Sequence, residues 1–278
     1  MSTGAWKHTP LAKALYAGAM LVVAVWALFP LYWMVATSLK PGNLPFAYPP
    51  VWTFRPTLEH YAQAIARGGM LRAFPNSLIV ASADTVISVV LGALAAFGLA
   101  RFPLRRKRDI WFWIISNRMM TPVAMVLPFF LLADALNLLD TRLVLILAYL
   151  TFNVPLVVWI MLGFFQAVPV ALDEAAMIDG AGYLTTLLRI TLPLTLPGLV
   201  VSAIFVFIFS WNELLFALVL TREAARTMPV LTTTFMTGMG IEWGQMAATG
   251  TATVLPIVVF SLFVSRYIVR GLTLGAVK

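Results

Sequence analysis

The chain has 278 residues, 61% of them hydrophobic and 11% charged, with a mean hydropathy of +0.92. Soluble domains carry roughly 25% charged residues, so a chain this apolar is read as an all-α polytopic membrane protein. It has no cysteine and only His8 and His60, which excludes disulfides and thiolate chemistry and leaves little for histidine-based metal or acid–base work.

In chain order, residues 1–13 are short and polar, and an apolar run follows over 14–39, interrupted once by Pro30. At ~1.5 Å rise per residue this run exceeds the ~30 Å hydrocarbon core, and it is longer than the apolar core of a signal peptide, about 7–15 residues, so an uncleaved first span is expected. Residues 40–73 form the longest polar connection. Pro45, Pro49, Pro50 and Pro56 keep it extended, and Thr57 is a candidate N-cap for a short helix through Ala66. Spans two to four are expected over 74–100, 110–132 and 143–164. A polar loop over 165–196 follows, then span five over 197–220, an outer segment over 221–248 with some apolar character, and span six over 249–267. The organisation expected is an N-terminal span with its outer loop (1–73), a membrane domain (74–268) and a tail (269–278). Pro122, Pro128 and Pro155 are expected to kink spans three and four.

The formal net charge of +8 gathers beside the spans, which favours membrane orientation over nucleic-acid binding. With both termini inside, the inner segments hold Lys7, Lys13, the cluster from Arg101 to Arg108, Arg189, Arg266, Arg270 and Lys278. The outer ones hold Lys40, Arg55, Arg67, Arg72, Arg142, Arg222 and Arg226, mostly in one long loop where the rule weakens. Six spans with both termini cytoplasmic follow, and the 165–196 loop then faces the cytoplasm.

That loop carries Asp173, Glu174 and Asp179, the glycines Gly180 and Gly182, and Pro193. Pro169 suits a helix start, and Asp173 and Glu174 then fall early in a short helix, where negative charge suits the dipole. Ala175 and Ala176 are small enough for another surface to approach the backbone. Gly180 and Gly182 break the helix, and Pro193 and Pro197 are expected to stop a second helix that starts at Tyr183. Three acids in one loop invite a metal or catalytic reading. The small residues and the missing histidines leave two readings, a docking surface for another protein or an ordinary interfacial loop whose acids face water.

The pattern Glu174-Ala175-Ala176, three residues, Gly180, nine residues, Ile190-x-Leu192-Pro193 resembles the cytoplasmic loop signature of binding-protein-dependent ABC importer permeases in every element. Asn76-Ser77-Leu78, Ala100-Arg101-Phe102, the run from Ser210 to Ala217 and the ending from Tyr267 to Lys278 are similar to the carbohydrate-uptake, maltose-type branch. The resemblance implies a five-helix permease core preceded by one N-terminal helix, in the bacterial inner (plasma) membrane. It implies a second permease, two ATPase subunits and an external solute-binding protein as partners. Asp173, Glu174, Ala175, Ala176, Asp179, Gly180, Ile190 and Pro193 would then couple to the ATPases. No Gly-x-x-x-x-Gly-Lys-Ser/Thr phosphate loop occurs, so no cofactor is expected in this chain, and ATP and Mg would bind the partner ATPase subunits.

Ionisable side chains inside spans cost about 2.5–3.5 kcal/mol each on insertion scales, so they need partners or a water-filled cavity. Asp84 lies about 15 Å into span two from the outer side, and Arg118 about 12 Å into span three from the inner side. The two therefore reach similar depth, and either they pair or each separately faces an aqueous cavity. Glu213, in Trp211-Asn212-Glu213, sits within span five, where the three residues could hold a sugar or polyol or join helices. Asn76, Asn117 and Asn153 are further pathway candidates. The competing reading, an ion-coupled secondary transporter of a small polar solute, leaves the loop signature unexplained and finds no internal repeat. A membrane enzyme lacks a catalytic set.

Overall fold

A computed structural model describes residues 10–66, 69–238 and 240–275, without the side chains of Leu11 and of residues 260–275. Lys7, His8, Arg67, Trp6 and Lys278 lie outside the described residues, as do the side chains of Arg266 and Arg270. Contacts divide the chain into two compact units, residues up to 69 with 232–254, and residues 70–231 with those from 255 on.

The first unit contains α1 (Pro10–Leu39), α2 (Glu59–Ala66) and the start of α13 (Trp243–Gly275), with a two-stranded antiparallel hairpin, β1 (Met236–Thr237) and β2 (Gly240–Ile241). The apolar window of α1 is unburied along its length, which is the surface a lipid-facing helix presents. Its end is held by the Ser38 hydroxyl, 2.9 Å from the Tyr61 hydroxyl. Lys40 is buried, with its ammonium 4.3 Å from the Trp33 ring centre. Thr57 caps α2 as expected, its hydroxyl accepting from the Glu59 amide at 3.2 Å. The hairpin was not expected, and α13 begins six residues before the predicted span six.

The core of the second unit is the mutual packing of α3 (Met70–Arg101), α6 (Arg142–Ala167) and α10 (Leu196–Trp211). Helices in lipid gain little from hydrophobic burial against one another, so close approach through small residues decides where they meet. A Cβ at Gly92 of α3 would lie 2.5 Å from the Val157 side chain of α6, and one at Gly198 of α10 would lie 2.6 Å from the Phe164 ring. These glycines set the spacing of the three helices.

Two expected spans are broken. Span three is α4 (Lys107–Met119) and α5 (Pro122–Ala135), which meet at 92°. Proline lacks an amide hydrogen and pushes the residue before it to extended geometry. Thr121 accordingly sits at ψ 125° and Met120 at ψ 136°, so Pro122 starts a new helix rather than kinking an old one. Span five stops at Trp211, and after a break over 212–214 the chain resumes as α11 (Leu215–Leu220). In the loop, α7 (Val170–Ile178) is followed by α8 (Tyr183–Thr186), a π-helical turn over Leu187–Thr191 and α9 (Leu192–Leu194). Pro193 therefore lies inside the helical stretch instead of stopping it, and the chain turns 81° at Thr195, between Tyr183–Leu194 and α10. The segment 221–226 is a loop that leads into α12 (Met228–Thr233).

One carboxylate fixes that loop. Asp140, at positive φ in the turn before α6, accepts from the amides of Arg222, Ala225, Glu223 and Ala224 at 2.9–3.1 Å. Burial pushes its carboxyl upward, but the amides of Ala225, Arg222, Ala224 and Glu223 together outweigh burial and hold it below the usual carboxylate range. A depressed folded value stabilises above the unfolded carboxylate pKa of about 4, and that contribution is lost as pH falls through the folded value. Asp140→Ala should lower thermal stability in detergent by a few degrees, about 1–2 kcal/mol after allowance for solvent screening. The deficit relative to wild type should shrink as the pH is lowered below about 4. A deficit that stays constant down to acid pH would show that the carboxylate charge is not what holds the turn.

Candidate functional site

The 165–196 loop is built on a buried ion pair. Arg101, the last residue of α3, binds the Asp173 carboxylate through Nε and donates from a terminal nitrogen to the Val168 carbonyl at 2.9 Å. The other Asp173 oxygen accepts from the Thr191 hydroxyl at 2.8 Å. Arg101 thus ties the end of α3 to the start of the loop, and Asp173 ties the two loop helical segments together. It is the one ion pair among the described residues.

Asp173 is therefore an internal fastener, and its sequence neighbour points the other way. Glu174, Ala175, Asp179, Gly180 and Pro193 are exposed, Ile190 is half-buried and Ala176 is buried. Gly180 ends α7 at φ +87°, with its amide on the Met177 carbonyl and the Ala181 amide on the Ala176 carbonyl. This is the Schellman arrangement, which requires the left-handed conformation that glycine adopts without strain. Ile178 is 86% exposed beside it. An apolar side chain held out on a rigid turn, next to a free carboxylate, suits contact with another protein surface. The two acids that face outward, Glu174 and Asp179, have no histidine or third acid to form a metal site, and no such cluster exists among the described residues.

The residues singled out inside the spans separate into three groups. Asp84 is fully buried where α3, α6 and α10 meet. It accepts from Asn153 at 2.7 Å, from Ser88 at 3.1 Å and from the Ser210 hydroxyl. Asn153 is also fully buried and donates to Ser210 at 3.0 Å. Asn76 is held on both sides of its amide, donating to the carbonyls of Ala224 and Arg226 at 2.9 and 3.0 Å and accepting from Arg142 at 2.7 Å. The structure contains no Asp84–Arg118 pair. Equal depth is not proximity: Asp84 is enclosed with Asn153 and Ser210, whereas Arg118 lies on the Phe152 carbonyl and the Phe209 ring.

Arg118 lies at the end of α4 with its guanidinium 5.1 Å from the Phe209 ring centre, donating to the Phe152 carbonyl at 3.0 Å. It lines a cleft of about 300 Å³ together with Asn117, Phe152, Phe209 and Glu213. The consecutive residues Trp211, Asn212 and Glu213 diverge. Trp211 is buried against Phe74 and Phe207, and Asn212 folds back onto the Ile208 carbonyl at 2.8 Å. Only Glu213 faces the cleft, and its two oxygens accept from the Phe216 and Ala217 amides at 3.0 and 3.1 Å. It caps α11 across the helix break. Sequence reading missed the roles of Arg101 and Thr191 in seating the loop and the aromatic walls of the cleft. Arg101 is 72 residues from its partner, and no local pattern marks so distant a pair.

A family profile described as "Binding-protein-dependent transport system inner membrane component" matches residues 88–274. The trehalose transport system permease protein of Mycobacterium tuberculosis is 39% identical over 92% of this chain and 94% of its own length. The trehalose/maltose transport system permease protein of Thermococcus litoralis is 36% identical over 93% of this chain and 94% of its own. In fold, the chain matches a bacterial ABC transporter involved in import of the acidic polysaccharide alginate, with a TM-score of 0.74 over 92% of this chain and 96% of that one, at 21% identity. The loop signature, the apolar helices and these relationships agree, and the chain belongs to the binding-protein-dependent transport system inner membrane components, the inner-membrane permeases of ABC importers.

Proposed function

We propose that this chain is one of two permease subunits in an ATP-driven importer of a sugar or polyol, and that it takes no part in ATP hydrolysis itself. The single observation that carries this reading is the loop seated by Arg101, with Asp173 turned inward and Glu174, Ala175, Ile178 and Gly180 presented outward. The second helical segment of the loop, turned 81° from α10, lies across the span direction, as a surface that docks in a groove of an ATPase must. Closure of the ATPase dimer would push α7, and the Arg101–Asp173 pair would carry the movement into α3 and the helices packed on it. ATP and Mg belong to those ATPase subunits, and an external binding protein would deliver the solute to the outer face.

Six spans with both termini cytoplasmic suit the helices: α1, α3, the bent α4–α5 pair, α6, α10 with α11, and α13. The cleft at Arg118 is the proposed solute contact. Asn117 and Arg118 supply donors, Phe152 and Phe209 supply flat faces, and a saccharide offers hydroxyls and an apolar ring face to both. The names of the trehalose and trehalose/maltose permeases favour a disaccharide-sized solute.

Glu174→Arg or Gly180→Asp should leave membrane insertion intact and abolish solute-stimulated ATPase activity of the assembled complex. Wild-type coupling in both would remove the loop from the mechanism. Arg101→Gln or Asp173→Asn alone strands a buried partner and should cost about 3 kcal/mol or more. Replacing both with leucine should cost less than the two single effects summed, as thermal unfolding would show. Additive losses would mean that the pair does not act as a unit. Arg118→Ala should slow solute uptake roughly tenfold, the scale of one charge-assisted hydrogen bond, with basal ATPase activity unchanged. Unaltered uptake would move the pathway elsewhere.

A further inference from the structure

A second cavity, of about 570 Å³, opens between the start of α4 and the last turns of α6. Lys107, Arg108 and Trp111 line it from α4, and Trp159, Gly163 and Gln166 line it from α6. Its place in the span follows from two contacts. Arg118 at the far end of α4 reaches the Phe152 carbonyl, while Lys107 and Arg108 lie beside Gly163 and Gln166. The two helices therefore run antiparallel, and the cations sit at the end where α6 enters the loop. Gln166 is next to the last residue of α6, and Trp159 is about 10 Å further in at helical rise. The cavity is cationic at the membrane edge and aromatic deeper down, and it opens outward, with Trp159 exposed.

That gradient matches a phospholipid more closely than a soluble ligand. Basic residues beside a span attract anionic headgroups, tryptophan settles at headgroup level, and arginine meets phosphate through two parallel donors. Neither Lys107 nor Arg108 has a carboxylate within ion-pair distance among the described residues. Asp109 follows them on the same turn but does not line the cavity. Arg105 and Arg106 belong to the same basic run yet also lie outside it, so a general membrane-orienting charge does not account for the arrangement. We propose that this cavity binds the headgroup of an anionic phospholipid from the leaflet on the loop side. Lys107 and Arg108 hold the phosphate, Gln166 donates beside them, and the first acyl carbons lie against Trp111 and Trp159.

The test is native mass spectrometry of the full chain with phosphatidylglycerol or with phosphatidylcholine of the same acyl chains. Wild type should retain phosphatidylglycerol preferentially. Lys107→Ala/Arg108→Ala should weaken retention roughly tenfold, and Arg105→Ala/Arg106→Ala should leave it near wild type. Gly163→Trp keeps every charge and fills the cavity; a side chain there meets no atom within 4 Å of its Cβ, so the fold should accept it and retention should fall similarly. Equal losses in the two double variants would reduce the effect to bulk charge and overturn the proposal. Unchanged retention in Gly163→Trp would overturn it too, as would displacement of the lipid by inorganic phosphate. Loss of the lipid when the second permease binds would identify the face as a protein interface and overturn it as well.

Discussion

The buried pair between Arg101 and Asp173 decides how the loop can behave. An exposed ion pair contributes about 0–1 kcal/mol, whereas removing one member of a buried pair costs about 3–5 kcal/mol. Asp173 is 3% exposed, so the second regime applies. The loop is consequently an extension of α3 and does not move as a free tether. Because neighbouring positions on a helix point in different directions, the inward turn of Asp173 is also what turns Glu174 outward. Thr191 closes the same contact from the second helical segment, so both halves of the loop are tied to the end of α3.

The bilayer imposes a second constraint, since a polar group inside it must find a partner within the protein. Asp84, Asn76 and Glu213 meet this in three ways: a side-chain network, a pair of loop carbonyls with an arginine, and a cap on a broken helix. Each finds its hydrogen-bond partners within the protein. Arg118 differs, with one hydrogen bond for a guanidinium that carries five donors. Under the proposed function, the cleft beside it offers those remaining donors to a passing solute.

Much of the architecture was legible because it is written locally. Hydropathy and length located α1, α3 and α6, Thr57 announced the cap of α2, and the spacing from Glu174 to Pro193 marked the loop. Breaks were harder to read. A proline within an apolar run predicts a kink or a new helix equally well, and the extended backbone at Met120 and Thr121 decided for a new helix. The Trp211-Asn212-Glu213 group looked like one patch, but a helix end separates its members into core, cap and cleft wall. Contacts such as Arg101 with Asp173, or Asp140 with the 222–225 amides, join residues many turns apart, and sequence periodicity carries no information about them.

The central claim is that this loop is a docking surface fixed to the transmembrane core. The chain has no cysteine, so a single one placed at Ile178 reports its surroundings without background. Labelling of Ile178→Cys by a membrane-impermeant maleimide should be fast in the isolated subunit when the reagent is on the cytoplasmic side. It should become strongly protected when the ATPase subunits are bound. Labelling from the opposite side, or equal rates with and without the ATPases, would contradict the account.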